Sequence, residues 1–401
     1  MTEKTLDVKL AKIKADPSSR EFIIADAKDA DMAYGIAAPG KSPEMHAHEG
    51  KFRSLAEYRD CIREVVRQGA VDILLMSAHT NSILTIEEGL FENSPVTPAA
   101  RANDTTDIHF ARHAAHPSHP SLPFQSTTID HIQCGHIDCR PEERERGADL
   151  GLYSVTFNND ATLDRQTLED YKTFRIDAER KGFRHFLEVF DPNAPRQPVD
   201  RDKLGAFLND MIVRSVAGVP ESGRPLFLKL VYHGPKFTEE LAHYDPTLVV
   251  GILGGSSGTT YDAFKLIADA QKYGARVALF GRKINNAEHQ LAFISMLRRI
   301  VDGEVTPEEA VHAYHGVLQA LKIEPIRSLE EDMKLTDPAM SYGTGKTVVT
   351  VPASAVPTSS ASTPPSSSLP KKTVTRPDFT TMSSADRLKY YQDRLRGNGK
   401  R

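Results

Sequence analysis

The run Pro225-Leu-Phe-Leu-Lys-Leu-Val-Tyr-His-Gly234 is an apolar strand with one lysine, Lys229, at its centre. A lysine in a core strand faces packed side chains or an enclosed pocket, and moving its ammonium out of water is costly. Pairing with a carboxylate or losing the proton relieves that cost, and a neutral lysine amine forms Schiff bases with carbonyl compounds. The alternative is an edge strand whose lysine points into solvent. The run predicts a strand that carries a candidate nucleophile.

Two further apolar strands follow, and each ends in glycine. Leu248–Leu253 leads into Gly254-Gly-Ser-Ser-Gly258, and Arg276–Phe280 leads into Gly281 and Arg282. Glycines after a strand let an anion reach backbone N–H groups, and an arginine adds a charged donor. One such run is commonly an ordinary turn, but two after consecutive strands are typical of phosphate sites in (β/α)8 barrels. We predict a phosphate site formed by Gly254, Gly255, Ser256, Gly281 and Arg282.

The alternation of strands and helices predicts the fold class. Eight strand-like runs lie at Glu21–Ala25, Val71–Ser77, Thr127–Gln133, Leu150–Phe157, Arg184–Phe190, Leu226–Tyr232, Leu248–Leu253 and Arg276–Phe280. Helix-like segments between them include Ser54–Gln68, Asp164–Lys181, Asp202–Val216 and Thr260–Tyr273. Eight strands interleaved with helices favour an α/β fold, a (β/α)8 TIM barrel. A doubly wound open sheet is the alternative, but no Gly-x-Gly-x-x-Gly follows the first strand.

Composition and charge divide the chain. We expect the barrel over residues 1–340 with an insertion at about 92–125, then a Ser/Thr/Pro-rich disordered linker over 346–380 and a basic tail with a possible short helix over 381–401. Residues 371–401 hold nine Lys/Arg and three Asp, a net charge of +6. Since the net charge of the whole chain is −4, residues 1–370 carry a net charge of −10. An acidic body does not favour nucleic-acid binding.

The overall composition is that of a water-soluble protein. Of the 401 residues, 39% are hydrophobic and 26% charged, and no apolar run approaches the roughly 18 residues of a transmembrane helix. The amino terminus has no apolar signal-peptide core. Three cysteines, Cys61, Cys134 and Cys139, have unrelated spacings, which favours a reducing compartment over a disulfide framework. We expect a cytoplasmic protein without a membrane partner.

The order of these features resembles a known family. The run Lys229-Leu-Val-Tyr-His-Gly234, then Gly254-Gly255, then Gly281-Arg282 is similar to the class I, Schiff-base aldolases of the deoxyribose-phosphate and archaeal-type fructose-bisphosphate aldolase superfamily. The match is best from about Leu150 to Val301. The resemblance implies that Lys229 forms the Schiff base, and that the loops after the seventh and eighth barrel strands bind substrate phosphate.

A proton shuttle is expected beside the lysine. The strand Arg184-His-Phe-Leu-Glu-Val-Phe-Asp-Pro192 carries Glu188, which by alternation shares a face with the phenylalanine two residues away on each side. If that face is the lumen, Glu188 lies beside Lys229 and can exchange protons with a substrate hydroxyl; a structural ion pair is the alternative. Archaeal-type aldolases carry a tyrosine where this chain has Asp191. The Leu-Glu-Val run is similar instead to tagatose-bisphosphate aldolases, in which a glutamate does this work.

Four further residues are candidates for the pocket. Asp26 ends the first predicted strand, where the resemblance implies a carboxylate that contacts a substrate hydroxyl, and a cap or turn residue is the alternative. His79 and Asn81 follow the second strand, on the side where barrels hold their active sites. Tyr232 lies three residues past Lys229, on the opposite face of a regular strand, so we expect a supporting role.

A histidine-rich stretch raises the question of a metal. It contains His109, His113, His116 and His119, and a pair spaced four residues apart on a helix can bind zinc. Prolines at 117 and 120 interrupt a helix there, which favours a surface loop or lid. Schiff-base chemistry needs no metal, so we expect neither a metal nor a cofactor.

Two functions follow from these features. The first is a carbon–carbon lyase, a class I aldolase that cleaves or forms a bond in a phosphorylated ketose through Lys229, with a phosphorylated sugar as its partner. The second is a catalytically altered barrel that binds a phosphate ligand or acts as a scaffold. We also expect a homo-oligomer.

Overall fold

The computed structural model of the chain is a closed parallel barrel surrounded by helices. It describes residues 2–16, 18–40, 52–107, 114–255 and 258–336. The strands in these ranges are β1 (Ile23–Lys28), β2 (Ile73–Met76), β3 (Thr97–Arg101), β4 (Asp104–Thr105), β5 (Pro123–Phe124), β6 (Leu150–Thr156), β7 (Arg184–Phe190), β8 (Leu228–Leu230), β9 (Gly251–Leu253) and β10 (Val277–Phe280). The α-helices are α1 (Thr5–Ala15), α2 (Leu55–Gln68), α3 (Ala78–Asn81), α4 (Ile129–Cys134), α5 (Ala161–Arg180), α6 (Leu204–Ala217), α7 (Pro235–Tyr244), α8 (Thr260–Lys272), α9 (Arg282–Asn285), α10 (Gln290–Val301), α11 (Pro307–Leu321) and α12 (Leu329–Asp332).

Eight of these strands close the barrel. Their order is β1, β10, β9, β8, β7, β6, β3 and β2, and β2 pairs with β1 to complete the ring. The barrel pairs are parallel, and β4 and β5 form a separate antiparallel pair. The TIM barrel predicted from the sequence is therefore confirmed. The predicted linker and basic tail lie outside the described residues. Within the described ranges, no helix combines the length and apolar character needed to cross a lipid bilayer.

Strand alternation divides most buried apolar residues of the barrel between two large cores, and a small third cluster contains Phe190, Val231 and Leu253. The lumen core contains alternate strand residues such as Ile23, Ala25, Phe186 and Leu279, and helix α1 packs onto it through Leu6, Leu10 and Ile13. The residues between them, such as Ile24, Leu187 and Phe280, join the outer core beneath the surrounding helices. Position in a strand therefore decides whether a side chain faces the lumen or the helices.

One predicted strand is wrong. Thr127–Gln133 is largely helix α4, which begins after Thr128, whose side chain accepts a hydrogen bond from the His131 amide. The third barrel strand is β3, which lies inside the region that we expected to be an insertion. Its sequence, Thr-Pro-Ala-Ala-Arg, has only Thr97 among the β-branched and aromatic residues that mark strands, so tertiary pairing with β2 and β6 determines its conformation. The other seven predicted strands form within three residues of their expected ends.

The cysteines also differ from expectation. Cys134 and Cys139 form a disulfide, with their Cα atoms 6.1 Å apart. The turn between them begins at Gly135, which has a left-handed backbone conformation (φ 86°) that returns the chain towards helix α4. Cys61 is unpaired and half-buried. Spacing alone gave no sign of this local bridge.

A buried carboxylate joins the barrel to two helices. Asp72, which precedes β2, accepts a hydrogen bond from the Ile24 amide of β1 at 2.8 Å. Its carboxylate also lies 2.9 Å from Lys9 Nζ of α1 and 2.6 Å from Arg298 Nη2 of α10. The Asp72 side chain is 3% exposed, so the removal of its charge would leave two cations facing a poorly solvated site.

We therefore expect Asp72→Ala to lower the free energy of unfolding by about 3 kcal/mol. Chemical denaturation monitored by circular dichroism measures this. The matched control is Glu142→Gln, which removes a solvent-exposed partner of Arg140 and should change stability by less than about 1 kcal/mol. Equal effects of the two substitutions would contradict a structural role for the Asp72 network.

Candidate active site

A cavity opens at the carboxyl ends of the barrel strands, and strands on opposite sides of the ring contribute to it. Its walls include Ala27 from β1, Phe190 from β7, Leu253 from β9 and Leu279 from β10. These side chains face the lumen by alternation, so the cavity is the upper end of the barrel interior. Arg101, Glu188 and Lys229 come from β3, β7 and β8 and form its charged end, and the glycine-rich loops with Arg282 follow β9 and β10 and form its other end.

Lys229 and Glu188 form the centre of the charged end. Glu188 on β7 is directly paired in register with Lys229 on β8, so both side chains enter the lumen side by side. Lys229 Nζ lies 2.5 Å from Glu188 Oε1, and the side chains are 9% and 2% exposed. Both residues line the cavity. The structure therefore brings together the lysine and the glutamate that the sequence singled out, as an ion pair.

A second charged pair, not anticipated from the sequence, adjoins the first. Arg101 at the end of β3 lies with its Nε 2.5 Å from Asp29 Oδ2, and both residues line the cavity. Arg101 Nη2 lies 3.7 Å from Glu188 Oε2. Ser154 on β6 donates a hydrogen bond from its Oγ to the same Oε2 at 2.6 Å. A charged residue in the otherwise small and apolar run of β3 was the available signal, but that run was not recognised as a strand.

Burial and the neighbouring charges have opposite effects on the pKa of the Arg101 guanidinium. Burial alone would lower the pKa of Arg101, but the adjacent carboxylates of Asp29 and Glu188 outweigh it and raise that pKa above its ordinary value. The guanidinium is therefore a permanent positive charge at this end of the cavity.

The opposite end contains the predicted phosphate-binding loops. Gly254, Gly255, Gly281 and Arg282 all line the cavity, whereas Ser256 lies outside the described residues. The Arg282 guanidinium lies over the Tyr34 ring, 5.5 Å from its centroid. A Cβ on Gly281 would lie 2.8 Å from the Ala27 carbonyl oxygen, so only glycine fits there. The Gly254 amide already donates to the Leu279 carbonyl at 2.7 Å, so this N–H is used within the protein.

Lys283 forms a hydrogen bond to the end of the glycine-rich loop that follows β9. Its Nζ donates to the Gly258 carbonyl oxygen at 2.8 Å. Burial, aided by the nearby positive charge of Arg327, lowers the pKa of Lys283 to about 8. The lysine therefore loses its proton, and with it the charge that strengthens this hydrogen bond, in a mildly alkaline range.

Asp26 does not line the cavity. It lies on the β1 face that carries Ile24, its Oδ2 is 3.1 Å from Lys28 Nζ, and both side chains are fully buried. Burial raises the pKa of Asp26, although the adjacent ammonium of Lys28 opposes this. The strand continues to Lys28, beyond its predicted end, so Asp26 is an interior strand residue on the outer face. The carboxylate that reaches the cavity from this segment is Asp29.

The other candidate pocket residues also lie away from the cavity lining. His79 on α3 is exposed, and Asn81 is buried with its side-chain amide donating to the Ile132 carbonyl at 2.8 Å. Tyr232 belongs to the outer core, as its distance of three residues from Lys229 indicates. Asn81 and Tyr232 therefore contact residues around the barrel and not the cavity.

The histidine-rich stretch falls partly outside the described residues, which exclude His109 and His113. His116 begins a short 3₁₀ turn, and His119 directly follows it. Across the ranges that the structure describes, no group of three or more histidine, cysteine, aspartate or glutamate side chains is arranged to hold a metal ion.

The fold is similar to that of solved fructose-bisphosphate aldolases. A structure described as a Schiff base-forming fructose-1,6-bisphosphate aldolase aligns with a TM-score of 0.52 and 16% identity, over 74% of this chain and 100% of its own. An archaeal fructose 1,6-bisphosphate aldolase aligns with a TM-score of 0.52 and 15% identity, over 75% of this chain and 100% of its own. The fructose-bisphosphate aldolase from Slackia heliotrinireducens aligns with a TM-score of 0.55 and 11% identity, over 83% of this chain and 92% of its own. No protein-family model and no curated protein sequence matches the chain. The resemblance seen in the sequence is confirmed as a shared fold.

The pKa of Lys283 generates a prediction for anion binding. Because Lys283 is protonated below about pH 8, its contribution to the loop is present there and is lost as the pH rises through about 8. We expect the affinity for inorganic phosphate to fall about three- to tenfold across this range. Calorimetric titration at several pH values measures this affinity. Lys283→Met should remove its pH dependence, whereas Lys272→Met, at an exposed lysine, should retain it. An unchanged pH dependence in Lys283→Met would contradict the assignment.

Proposed function

We propose that this chain is a class I aldolase that cleaves or forms a carbon–carbon bond in a phosphorylated ketose through a Schiff base at Lys229. The observation that carries the proposal is the contact between Lys229 and Glu188 inside the cavity, at 2.5 Å. Such a pair contains both a nucleophile and the group that can take its proton. The solved aldolases that share the fold are named for fructose 1,6-bisphosphate, which is therefore the first substrate to test.

Formation of the Schiff base begins with a proton transfer between neighbours. Glu188 Oε1 accepts a proton from the Lys229 ammonium, which leaves a neutral amine and a neutral carboxylic acid. The amine attacks the ketone carbon of the substrate and forms a carbinolamine. Glu188 then returns its proton to the carbinolamine hydroxyl, which departs as water. The products of this step are an iminium at Lys229 and an ionised Glu188.

The ionised carboxylate is then ready for bond cleavage. Glu188 accepts the proton of the substrate hydroxyl two carbons from the iminium carbon, and the carbon–carbon bond breaks to release an aldehyde. The electron pair of that bond moves towards the iminium nitrogen and gives an enamine. Protonation of the enamine carbon and hydrolysis of the resulting iminium release the ketone and restore Lys229 and Glu188. One glutamate thus acts alternately as acid and base.

The opposite end of the cavity holds the substrate by its phosphate in this proposal. Gly255 and Gly281 place backbone within reach of an anion, and Arg282 adds a fixed positive charge. Lys229 and Arg282 line the same cavity, so a ketose phosphate held by its anion can present its carbonyl to the amine.

The nucleophile is tested by Lys229→Met. We expect this variant to lose cleavage of fructose 1,6-bisphosphate by at least about a thousandfold, because Lys229 is the one lysine among the described residues that line the cavity. Borohydride should inactivate the wild-type enzyme only when a ketose phosphate is present, since it reduces an iminium and not a free amine. Circular dichroism checks that the variant is folded. Retained activity in a folded Lys229→Met variant would contradict the proposal.

The anion site is tested by Arg282→Ala. We expect the KM for a phosphorylated ketose to rise about tenfold or more, while the weak activity towards the unphosphorylated sugar changes little. Lys272→Ala, which removes an exposed cation elsewhere, serves as the matched control. A similar loss for both sugars would argue against phosphate binding by Arg282. Phosphate binding without any cleavage or adduct would instead favour a binding or scaffold protein.

A further inference from the structure

The two oxygens of the Glu188 carboxylate have different surroundings. Oε1 lies 2.5 Å from Lys229 Nζ, on the side of the nucleophile. Oε2 accepts a hydrogen bond from Ser154 Oγ at 2.6 Å and lies 3.7 Å from Arg101 Nη2. One oxygen therefore faces the reacting group, while the other is held by neighbours on the opposite side.

Those neighbours are themselves fixed. Arg101 Nη1 donates to Ser154 Oγ at 3.3 Å, and its Nε donates to Asp29 Oδ2 at 2.5 Å. The Arg101 side chain is 6% exposed. Asn103 extends the network, because its side-chain oxygen accepts from the Ser154 amide at 2.6 Å. Ser154 of β6 and Arg101 of β3 thus contact one carboxylate oxygen of β7, and Asp29 and Asn103, which follow β1 and β3, hold these two residues in place.

We propose that Arg101, anchored by Asp29 and acting with Ser154, is a positioning residue that holds Glu188 Oε2 and keeps the carboxylate ionised for carbon–carbon cleavage. This inference rests on the proposed aldolase function. It assigns proton exchange to Oε1 alone, because Oε2 is occupied throughout. Arg101 acts through Glu188 and need not touch the substrate.

The charges around Glu188 explain why a permanent cation is needed. Lys229 and Arg101 face the carboxylate from β8 and β3, Asp29 pairs with Arg101, and Asp104 also raises the pKa of Arg101. Once Lys229 is bonded to the substrate, it no longer presents the free ammonium that pairs with Glu188 Oε1 in the resting site. Arg101 remains charged, since the carboxylates around it raise its pKa above the ordinary arginine value against the effect of burial. The carboxylate therefore retains one cation at every step.

This assignment predicts a split between the two halves of the reaction. Schiff-base formation uses Glu188 first as a proton acceptor and then as an acid. A weaker preference of Glu188 for its ionised form therefore need not slow this half of the reaction. Bond cleavage uses Glu188 only as a base, so it depends directly on the ionised form. Loss of Arg101 should therefore slow cleavage while leaving the Schiff base able to form.

The test compares Arg101→Met with Arg101→Lys in the full-length protein. For Arg101→Met, we expect cleavage of fructose 1,6-bisphosphate to fall about 10- to 100-fold, and the acidic limb of the pH–rate profile to move up by about one pH unit or more. Borohydride trapping of dihydroxyacetone phosphate should stay within about threefold of wild type. Arg101→Lys should restore part of the rate and of the profile, because it retains the charge.

A second variant addresses folding. Arg101→Met leaves Asp29 buried without its partner, so the double variant Arg101→Met/Asp29→Asn removes both charges and should show the same displaced pH limb. An unmoved acidic limb, or equal losses of trapping and cleavage in folded variants, would overturn the role of Arg101 while leaving the aldolase assignment in place. Absence of any trapped adduct in the wild-type protein would overturn the aldolase assignment and this inference with it.

Discussion

A lysine and a glutamate placed side by side in a closed barrel are the constraint on which the site depends. Each of Lys229 and Glu188 supplies the other with an opposite charge where little solvent reaches, and the parallel register of β7 and β8 places them 2.5 Å apart. Removing Glu188 would leave the Lys229 ammonium without its carboxylate partner, at a cost of about 3–5 kcal/mol. The pairing that makes burial tolerable also places a proton acceptor on the candidate nucleophile.

The remainder of the barrel is arranged around that pair. Helix α1 and the apolar lumen residues fill the amino-terminal part of the interior, so the polar groups collect at the carboxyl ends of the strands. The glycines after β9 and β10 have no space for a side chain, since a Cβ on Gly254 would lie 2.1 Å from the Phe280 ring and one on Gly281 2.8 Å from the Ala27 carbonyl oxygen. The result is a cavity with charged groups that can move protons at one end and backbone that can meet an anion at the other.

Residue pattern predicted much of this architecture, and its failures have physical causes. β7 was predicted with its observed bounds, because alternation in an apolar run is a strong signal, and the same alternation placed Glu188 beside Lys229. β3 was missed because small residues and a proline hide a strand that its neighbours stabilise. Without β3, Arg101 could not be assigned to the site. Asp26 was predicted at a strand end, but β1 runs on to Lys28, and that extension leaves Asp26 in the strand interior on the outer face.

The most direct measurement is the location of the covalent adduct. The protein is reduced with borohydride in the presence of dihydroxyacetone phosphate, digested, and its peptides are analysed by mass spectrometry. The account predicts a single adduct on the peptide that contains Lys229, with the buried Lys28, which pairs with Asp26 outside the lumen, unmodified. An adduct on a different lysine, or none at all, would contradict a Schiff base at the Lys229–Glu188 pair.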